Sequence, residues 1–152
     1  MLLSTLREYL DNLLQISEFS SDASLNGLQV EGSGRIGKIS LAVDACRASI
    51  GRAARNGSDI LIVHHGLFWG EQKPVTGIMK DRIELLISNR ISLYAAHLPL
   101  DAHPSLGNNA QLAELLELEK CIRFGEYGGR EIGVIGELPR GITAGGLSRK
   151  IG

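Results

Sequence analysis

The 152-residue chain is long enough to bury the core of one domain, and its 43% apolar and 22% charged residues are ordinary for a globular protein. Its formal net charge of −1, with no block of like charge, excludes a dedicated nucleic-acid-binding protein, which would present a basic stripe. No apolar run approaches the roughly 18 residues that cross a bilayer, and charged residues rather than an apolar stretch follow the first four residues. Cys46 and Cys121 lie far apart, which predicts two small buried thiols. We therefore expect a cytoplasmic protein that binds neither nucleic acid nor membrane.

Hydrophobic periodicity predicts helices that alternate with strands. Apolar residues at helical spacing over residues 4–17, with capping-box spacing between Thr5 and Glu8, predict a first helix. The elements predicted after it are a loop over 20–37, a strand over 39–44, a helix over 46–56, a strand over 59–63, a helix over 79–89, a strand over 91–96, a helix over 108–118 and a strand over 131–136. This order predicts an α/β fold, with a mostly parallel sheet flanked by helices. Residues 1–152 are predicted to form a single domain, incomplete at its C-terminus because residues 143–152 resemble only the opening of a helix.

All four histidines lie between residues 64 and 103. His64 and His65 directly follow one predicted strand, and His97 directly follows the next, with Asp101 four residues later. Ligands of open parallel sheets bind beyond the carboxyl ends of the strands. Because two strands deliver imidazoles and a carboxylate to that edge, the sequence predicts a metal site there.

Two metal ions fit this pattern better than one. Adjacent residues of a strand point to opposite faces, so we expect His64 and His65 to diverge toward two ions, with Asp101 as a bridge. Imidazole and carboxylate ligands suit divalent zinc, iron, manganese, cobalt or nickel. Two alternatives stay open: the histidine pair caps a turn, or the histidines serve a plain α/β domain structurally.

Several neighbouring features give weaker signals. His103 is expected to be solvated only. Asp44, at the end of the preceding strand, is a candidate support for the site, although a structural role is favoured. Phe68 and Trp69 either form the wall of a pocket or pack in the core. Residues 32–37 satisfy G-x-G-x-x-G, but a loop precedes them and a strand follows, so we interpret the match as accidental.

Three segments resemble a known family in order and spacing. They are Ser-Leu-Asn-Gly-Leu-Gln-Val at 24–30, Val-His-His-Gly-Leu at 63–67 and His-Leu-Pro-Leu-Asp at 97–101. The chain is identified by them as similar to the Nif-three-like family, whose bacterial members often carry the name GTP cyclohydrolase 1 type 2. The similarity extends over essentially the whole chain, and the histidine pair followed by H-x-P-x-D is a specific combination.

The resemblance implies a dinuclear metal centre and assigns roles to six residues. These are His64, His65 and Asp101 as metal ligands, His97 as a candidate acid/base or supporting group, and Asn26 and Gln29 on a loop that approaches the site. It also implies a homohexamer built as a trimer of dimers. Family proteins are longer, and a C-terminal histidine and glutamate complete their metal site. Because this chain has no counterpart of those two ligands, we expect the 152 residues to bind metal much more weakly, or the site to be empty.

The reaction predicted from the metal site and the resemblance is hydrolysis. Two ions would lower the pKa of a bound water, and the hydroxide would attack an electrophilic carbon of a small-molecule substrate. For a GTP cyclohydrolase that carbon would be C8 of the purine, with His97 moving protons. The alternative is a non-catalytic scaffold or assembly protein that binds a metal or a nucleotide, so the sequence leaves open whether the chain is an enzyme.

Overall fold

The computed structural model describes residues 1–151 and alternates helices with strands. In chain order the elements are α1 (Leu3–Leu13), a short 3-10 helix (Ile16–Phe19), β1 (Gly27–Val30), β2 (Ile39–Asp44), α2 (Arg47–Arg55), β3 (Ile60–His65), α3 (Gly77–Ser88), β4 (Ser92–Ala95), α4 (Leu98–Asp101), α5 (Asn108–Leu115), β5 (Glu119–Tyr127), β6 (Arg130–Glu137) and α6 (Ala144–Ile151). The chain divides into two compact units, Met1–His97 and a second that begins at Leu98. Among the described residues, no helix has the length and apolar character needed to cross a membrane.

The first unit is built on a four-stranded sheet in the order β1-β4-β3-β2. The strands β2, β3 and β4 run parallel, and only β1 is antiparallel to its neighbour β4. This confirms the predicted α/β class with a mostly parallel sheet. Because parallel strands end at the same edge, the residues at the carboxyl ends of β2, β3 and β4 are brought together there.

One face of this sheet forms the core with two helices. Ile50 of α2 and Leu86 of α3 are fully buried, and they belong to the same apolar cluster as Leu61, Val63 and Leu93 of the sheet. The short continuous apolar run of β3 is typical of a strand whose two faces are both covered. Burial of these side chains is the main source of stability of the first unit.

Tyr94 links the opposite face of the sheet to α1. Its side chain is fully buried, and its hydroxyl donates a hydrogen bond to Oδ1 of Asp11 at 2.9 Å. Burial, reinforced by the neighbouring carboxylate, raises the pKa of Tyr94 well above its usual range. The phenol therefore stays a neutral donor and holds α1 against β4.

The edge strand β2 is present as predicted, but its apolar side chains face away from the core. Ile39, Leu41 and Val43 are 45%, 77% and 63% exposed. Leu41 is in register with Ile62, so it shares the sheet face opposite the apolar cluster. The alternation of β2 therefore predicted the strand and did not reveal which face is covered.

The second unit contains an antiparallel hairpin of β5 and β6 and three helices, α4, α5 and α6. Ile122 pairs with Ile135 across the hairpin. The turn uses Gly128 and Gly129, both with positive φ, which is why glycine suits this position. The predicted strand over 131–136 corresponds to β6, whereas β5 and α4 were not predicted.

Some local predictions are wrong. The first helix ends at Leu13 rather than at residue 17, since Gln15 adopts a left-handed φ of 52° and a 3-10 helix follows. No capping box forms at Thr5, because the helix begins earlier and its N-cap is Leu2. The predicted loop over 20–37 contains β1, which owes its strand to pairing with β4.

The two cysteines are free, and the prediction that both are buried is wrong. Cys121 is exposed and Cys46 is partly buried. The Sγ atom of Cys46 accepts a hydrogen bond from the backbone N–H of Ser49 at 3.5 Å and caps the start of α2. Hydrogen bonds from Ser49 lower the pKa of the Cys46 thiol. The role of Cys46 in the fold is thus that of a helix cap.

Candidate metal centre

Three imidazoles converge at the carboxyl edge of the sheet. His64 and His65 are the last two residues of β3, and His97 follows β4. Their ring centroids are 4.5 Å apart for His64 and His65, 5.0 Å for His64 and His97, and 5.6 Å for His65 and His97. One ligand atom from each ring lies within 4.8 Å of the others, so the cluster is able to hold a metal ion. The rings of His64 and His65 therefore stay close together, although adjacent residues of a strand normally point to opposite faces.

Asp22 supports His97 from a buried position. Its side chain is only 2% exposed, and Nδ1 of His97 lies 3.0 Å and 3.1 Å from its two carboxylate oxygens. A carboxylate only accepts hydrogen bonds, so Nδ1 of His97 carries the proton and donates it. This leaves Nε2 of a neutral His97 with its lone pair available, the arrangement in which a carboxylate orients a metal-binding imidazole.

Asp44 supports His65 in the same way from the end of β2. Its Oδ1 accepts a hydrogen bond from Nδ1 of His65 at 2.8 Å. The two residues are neighbours because Asp44 and His65 are in register between the parallel strands β2 and β3. Unlike Asp22, Asp44 is 61% exposed, and His65 is 43% exposed. The structure therefore places Asp44 beside the site, where it fixes the tautomer of His65.

Asn26 forms hydrogen bonds with the backbone of His97 and with the carboxylate of Asp22. Its Oδ1 accepts a hydrogen bond from the backbone N–H of His97 at 2.7 Å, and its Nδ2 donates to Oδ2 of Asp22 at 2.9 Å. The backbone N–H of Ser24 donates to Oδ1 of Asp22 at 3.0 Å. Asp22 thus accepts hydrogen bonds from three groups, which fixes the segment before β1 against His97. The predicted contact of Asn26 with substrate stays a prediction.

Gln29 ties β1 to the turn that follows the histidine pair. Its Oε1 accepts from the backbone N–H of Leu67 at 2.7 Å, and its Nε2 donates to the carbonyl of Leu25 at 2.6 Å. The amide lies directly over Gly66, where a Cβ atom would come within 2.3 Å of Nε2. A side chain at 66 would therefore have to displace this amide from its two hydrogen bonds, and the role of Gln29 in binding substrate stays a prediction.

Trp69 borders the cluster. Its ring centroid lies 4.8 Å from that of His97 in an edge-on arrangement and 5.9 Å from that of His65. Its Nε1 donates to the carbonyl of Gly66 at 2.9 Å. Phe68 instead packs, partly buried, against the apolar core cluster. Both residues also line a cavity beside the cluster. The pair therefore forms part of a pocket wall, as one alternative predicted, and Phe68 also packs in the core, as the other predicted.

Asp101 and His103 belong to the second unit. Oδ1 of Asp101 accepts a hydrogen bond from Nδ2 of Asn108 at 2.8 Å, and the assignment of Asp101 as a metal ligand stays a prediction from the sequence. Nδ1 of His103 accepts from the backbone N–H groups of Leu106 at 3.0 Å and Ser105 at 3.3 Å. The expectation that His103 is only solvated is wrong, because this side chain holds a turn.

Asp22 is the functional residue that sequence reasoning missed. It lies in a segment without helix or strand periodicity and is 75 positions from His97, the residue it supports. A signal was available in the cluster Ser20-Ser21-Asp22-Ala23-Ser24, since a polar loop four residues before Asn26 is a place where a carboxylate contacts a site. Nothing in that segment, however, specified the histidine it would meet.

A mostly parallel α/β sheet that ends in three histidines, two of them oriented by carboxylates, has the arrangement of a site able to hold a metal ion at a sheet edge. The model of the Duf34/NIF3 (NGG1p interacting factor 3) family matches residues 1–152. The chain belongs to this family, which confirms the resemblance found in the sequence.

Named relatives and a solved structure agree with this assignment. The chain is 44% identical to the "GTP cyclohydrolase 1 type 2 homolog" of Archaeoglobus fulgidus, over 100% of the chain and 62% of that protein. It is 50% identical to the protein of the same name from Pyrococcus abyssi, over 86% of the chain and 52% of that protein. The crystal structure of TTHA1606 from Thermus thermophilus matches with a TM-score of 0.79 and 49% identity, covering 82% of the chain and 51% of that protein. The chain thus spans about half the length of the relatives it matches.

Proposed function

We propose that this chain binds divalent transition metal through the histidine cluster and that the site serves a metal-dependent hydrolase. The observation that carries the proposal is the convergence of His64, His65 and His97, with one ligand atom from each ring within 4.8 Å of the others. Nitrogen ligands of this kind suit zinc, iron, cobalt or nickel. Asp22 and Asp44 add the support that metal-binding imidazoles typically have.

The ring nitrogens of the three histidines fit a metal ion. Experiment must decide whether they hold one ion or two. Two nitrogen ligands of one ion lie at most about 4.2 Å apart, twice the zinc–nitrogen distance. A limit of 4.8 Å between ligand atoms therefore suits one ion after small side-chain rotations, or two ions about 3.5–4 Å apart. A dinuclear centre, with Asp101 as a further ligand, is the form that we propose on the family resemblance.

Hydrolysis is the proposed chemistry. A bound divalent ion supplies a Lewis acid that acidifies water and polarises the group under attack. The chain contributes the orientation of His65 and His97, whose Nδ1 atoms are held by carboxylates, which leaves Nε2 as the ring nitrogen for a ligand or a proton. His97 has two candidate duties, as a ligand or as the group that moves a proton at Nε2, and metal analysis of a His97 variant separates them.

The substrate that we propose is a small molecule of the purine nucleotide class. The support is the name of the Archaeoglobus and Pyrococcus relatives, GTP cyclohydrolase 1 type 2 homolog. The activity concerns the full-length proteins, since this chain spans about half of them. An assay of GTP consumption with zinc, iron or manganese supplied tests the proposal, and full metal loading without turnover would contradict it. A homohexameric assembly is likewise proposed from the resemblance, and light scattering would measure its mass.

The first experiment is the metal content per chain, measured by mass spectrometry after equilibration with zinc and gel filtration. The parent protein should retain zinc, and His64→Ala and His65→Ala should lose it. His103→Ala is the matched control, because this imidazole accepts backbone hydrogen bonds in a turn of the second unit. Loss in His97→Ala assigns His97 as a ligand, and retention excludes that duty and leaves proton transfer as the remaining candidate. A parent chain that retains no zinc would refute the proposed site within these 152 residues.

A further inference from the structure

A cavity of about 560 Å³ lies beside the histidine cluster, and every residue that lines it belongs to the first unit. Its walls come from the segments 16–26 and 67–73, with Met79 of α3. Sites for small molecules have volumes of about 300–1,000 Å³ and are mostly apolar with a few polar groups. The cavity has such a volume, and its lining is mixed: apolar side chains alternate with Asp22, Ser24 and Asn26 on one segment, and further polar and charged residues, Glu71 and Lys73 among them, lie on the other.

Three of the five Phe, Tyr and Trp residues of the first unit line this cavity. They are Phe19, Phe68 and Trp69. Phe19 is 7% exposed, so its ring is fixed, and Phe68 is packed against the core. Aromatic faces stack on flat π systems irrespective of the substituents that those carry. The lining therefore favours a planar aromatic ligand over a sugar or an aliphatic acid.

Ser24 gives the independent observation that points to a ligand. It lines the cavity and is only 4% exposed, yet its hydroxyl has no hydrogen-bond partner among the described residues. The backbone of Ser24 is held in place by Asp22, so the position of the residue is fixed. Buried polar groups in native proteins are almost always hydrogen-bonded. The hydroxyl is closed off from solvent as it stands, and a ring nitrogen or exocyclic group of a heterocycle would supply its partner once the side chain turns toward the cavity.

The geometry points to a binding site for a planar heteroaromatic ring, stacked on the aromatic walls and hydrogen-bonded by Ser24. Asp22, Asn26 and Trp69 line the cavity and also contact His97, so a ring in the cavity would lie against the groups that orient this histidine. The inference rests on the proposed function in assigning the ring to the substrate. Binding of the ring itself requires no metal.

Isothermal titration of the metal-free chain with guanosine, and separately with ribose, tests the inference. Guanosine should bind one per chain, and ribose should bind at least tenfold more weakly, because ribose lacks the ring. Equal affinities for the two compounds, or no heat of binding with guanosine, would overturn the assignment.

Two variants test the proposed contacts. Ser24→Ala removes only the hydroxyl and should weaken guanosine binding about fivefold, the effect of one lost hydrogen bond. Phe68→Leu keeps an apolar side chain of similar size and should weaken binding several-fold through lost stacking. Ser4→Ala, at an exposed position of α1 outside the cavity, is the matched control and should bind as the parent does. Parent-like affinity in both cavity variants, with folding verified by circular dichroism, contradicts the inference.

Failure of this inference is distinguishable from failure of the proposed function. Guanosine is titrated without metal, whereas zinc retention is measured without guanosine. A chain that retains zinc and does not bind guanosine overturns the ring site and leaves the metal site standing. A chain that binds guanosine and retains no zinc supports the ring site and refutes the metal site.

Discussion

Two carboxylates support the histidine cluster from opposite sides and in different surroundings. Asp22 is 2% exposed and accepts hydrogen bonds from His97, Asn26 and the backbone of Ser24. Asp44 is 61% exposed, and its carboxylate accepts one hydrogen bond from the ring of His65. Both orient an imidazole through Nδ1, so their geometry toward the histidine is the same.

The difference in burial gives the two carboxylates different roles, although each accepts the same kind of hydrogen bond from a histidine. A buried carboxylate with several donors is part of the fold, since its removal leaves those donors without a partner in a place that water does not reach. An exposed carboxylate can be replaced by water, so its contribution is restricted to the orientation of the ring. We therefore expect loss of Asp22 to affect both stability and metal binding, and loss of Asp44 to affect metal binding alone.

Asp22→Ala should have the largest effect. We expect the free energy of unfolding to fall by about 2–4 kcal/mol, because three partly buried donors lose their buried acceptor. Zinc affinity should fall by about 10–100-fold where His97 is a ligand. Urea denaturation and zinc titration measure the two effects. Asp22→Asn is the control of similar shape and should lose less stability. A stability of Asp22→Ala equal to that of the parent would remove the distinction between the two carboxylates.

Gly66→Ala should come next, because it displaces the amide of Gln29 from two hydrogen bonds. A Cβ atom at 66 would lie 2.3 Å from Nε2 of Gln29, so the amide must withdraw from Leu67 and Leu25. We expect a loss of about 1–2 kcal/mol in the free energy of unfolding, the value of these hydrogen bonds. Gly34→Ala is the matched control, since a Cβ there meets no atom within 4 Å. Equal stability of the two variants would show that Gln29 is not held as described.

Asp44→Ala should change the free energy of unfolding by less than about 0.5 kcal/mol, because its carboxylate is mostly exposed. Zinc affinity should fall by about 3–10-fold, less than for Asp22→Ala, as the ring of His65 loses its fixed tautomer. The same two titrations apply. A loss of stability as large as that of Asp22→Ala would show that burial does not separate the two carboxylates.

Leu41→Lys tests whether the face of β2 that carries Leu41 is exposed to solvent, and it should have the smallest effect. Leu41 is 77% exposed, so we expect the free energy of unfolding to stay within about 0.5 kcal/mol of the parent value. Urea denaturation measures it, with Leu41→Ala as a second, uncharged substitution. A loss greater than about 1 kcal/mol with lysine alone would mean that this face of β2 is covered in solution.

The fold was predictable from the sequence where a pattern is local. Continuous apolar runs predicted β3 and β4, and the alternation of helices with strands predicted the parallel sheet, because each pattern reflects burial of a single element. The strand β1 was missed because its four residues form a strand only through pairing with β4, far along the chain. The exposure of β2 was missed for a related reason, since alternation marks a face and does not say what covers it.

The same distinction between local sequence patterns and long-range contacts applies to the candidate site. His64, His65 and His97 were found because they sit where buried strands end, a position that sequence alone defines. The pairing of Asp22 with His97 could not be found, because it depends on the path of a loop between the short 3-10 helix and β1. The roles of Asn26 and Gln29 in hydrogen-bonding the site's backbone also required coordinates, although the family resemblance had marked the loop that carries them.

The position of Trp69 gives the protein a built-in optical reporter. It is the single tryptophan of the chain, and its indole lies edge-on to His97 and near His65 while also lining the cavity. Indole emission is quenched by a neighbouring protonated imidazole or by a paramagnetic ion, and its wavelength follows the polarity of the surroundings. With no second indole to contribute background, the emission spectrum of the unlabelled protein reads the protonation of the cluster and the filling of the cavity from one fluorophore.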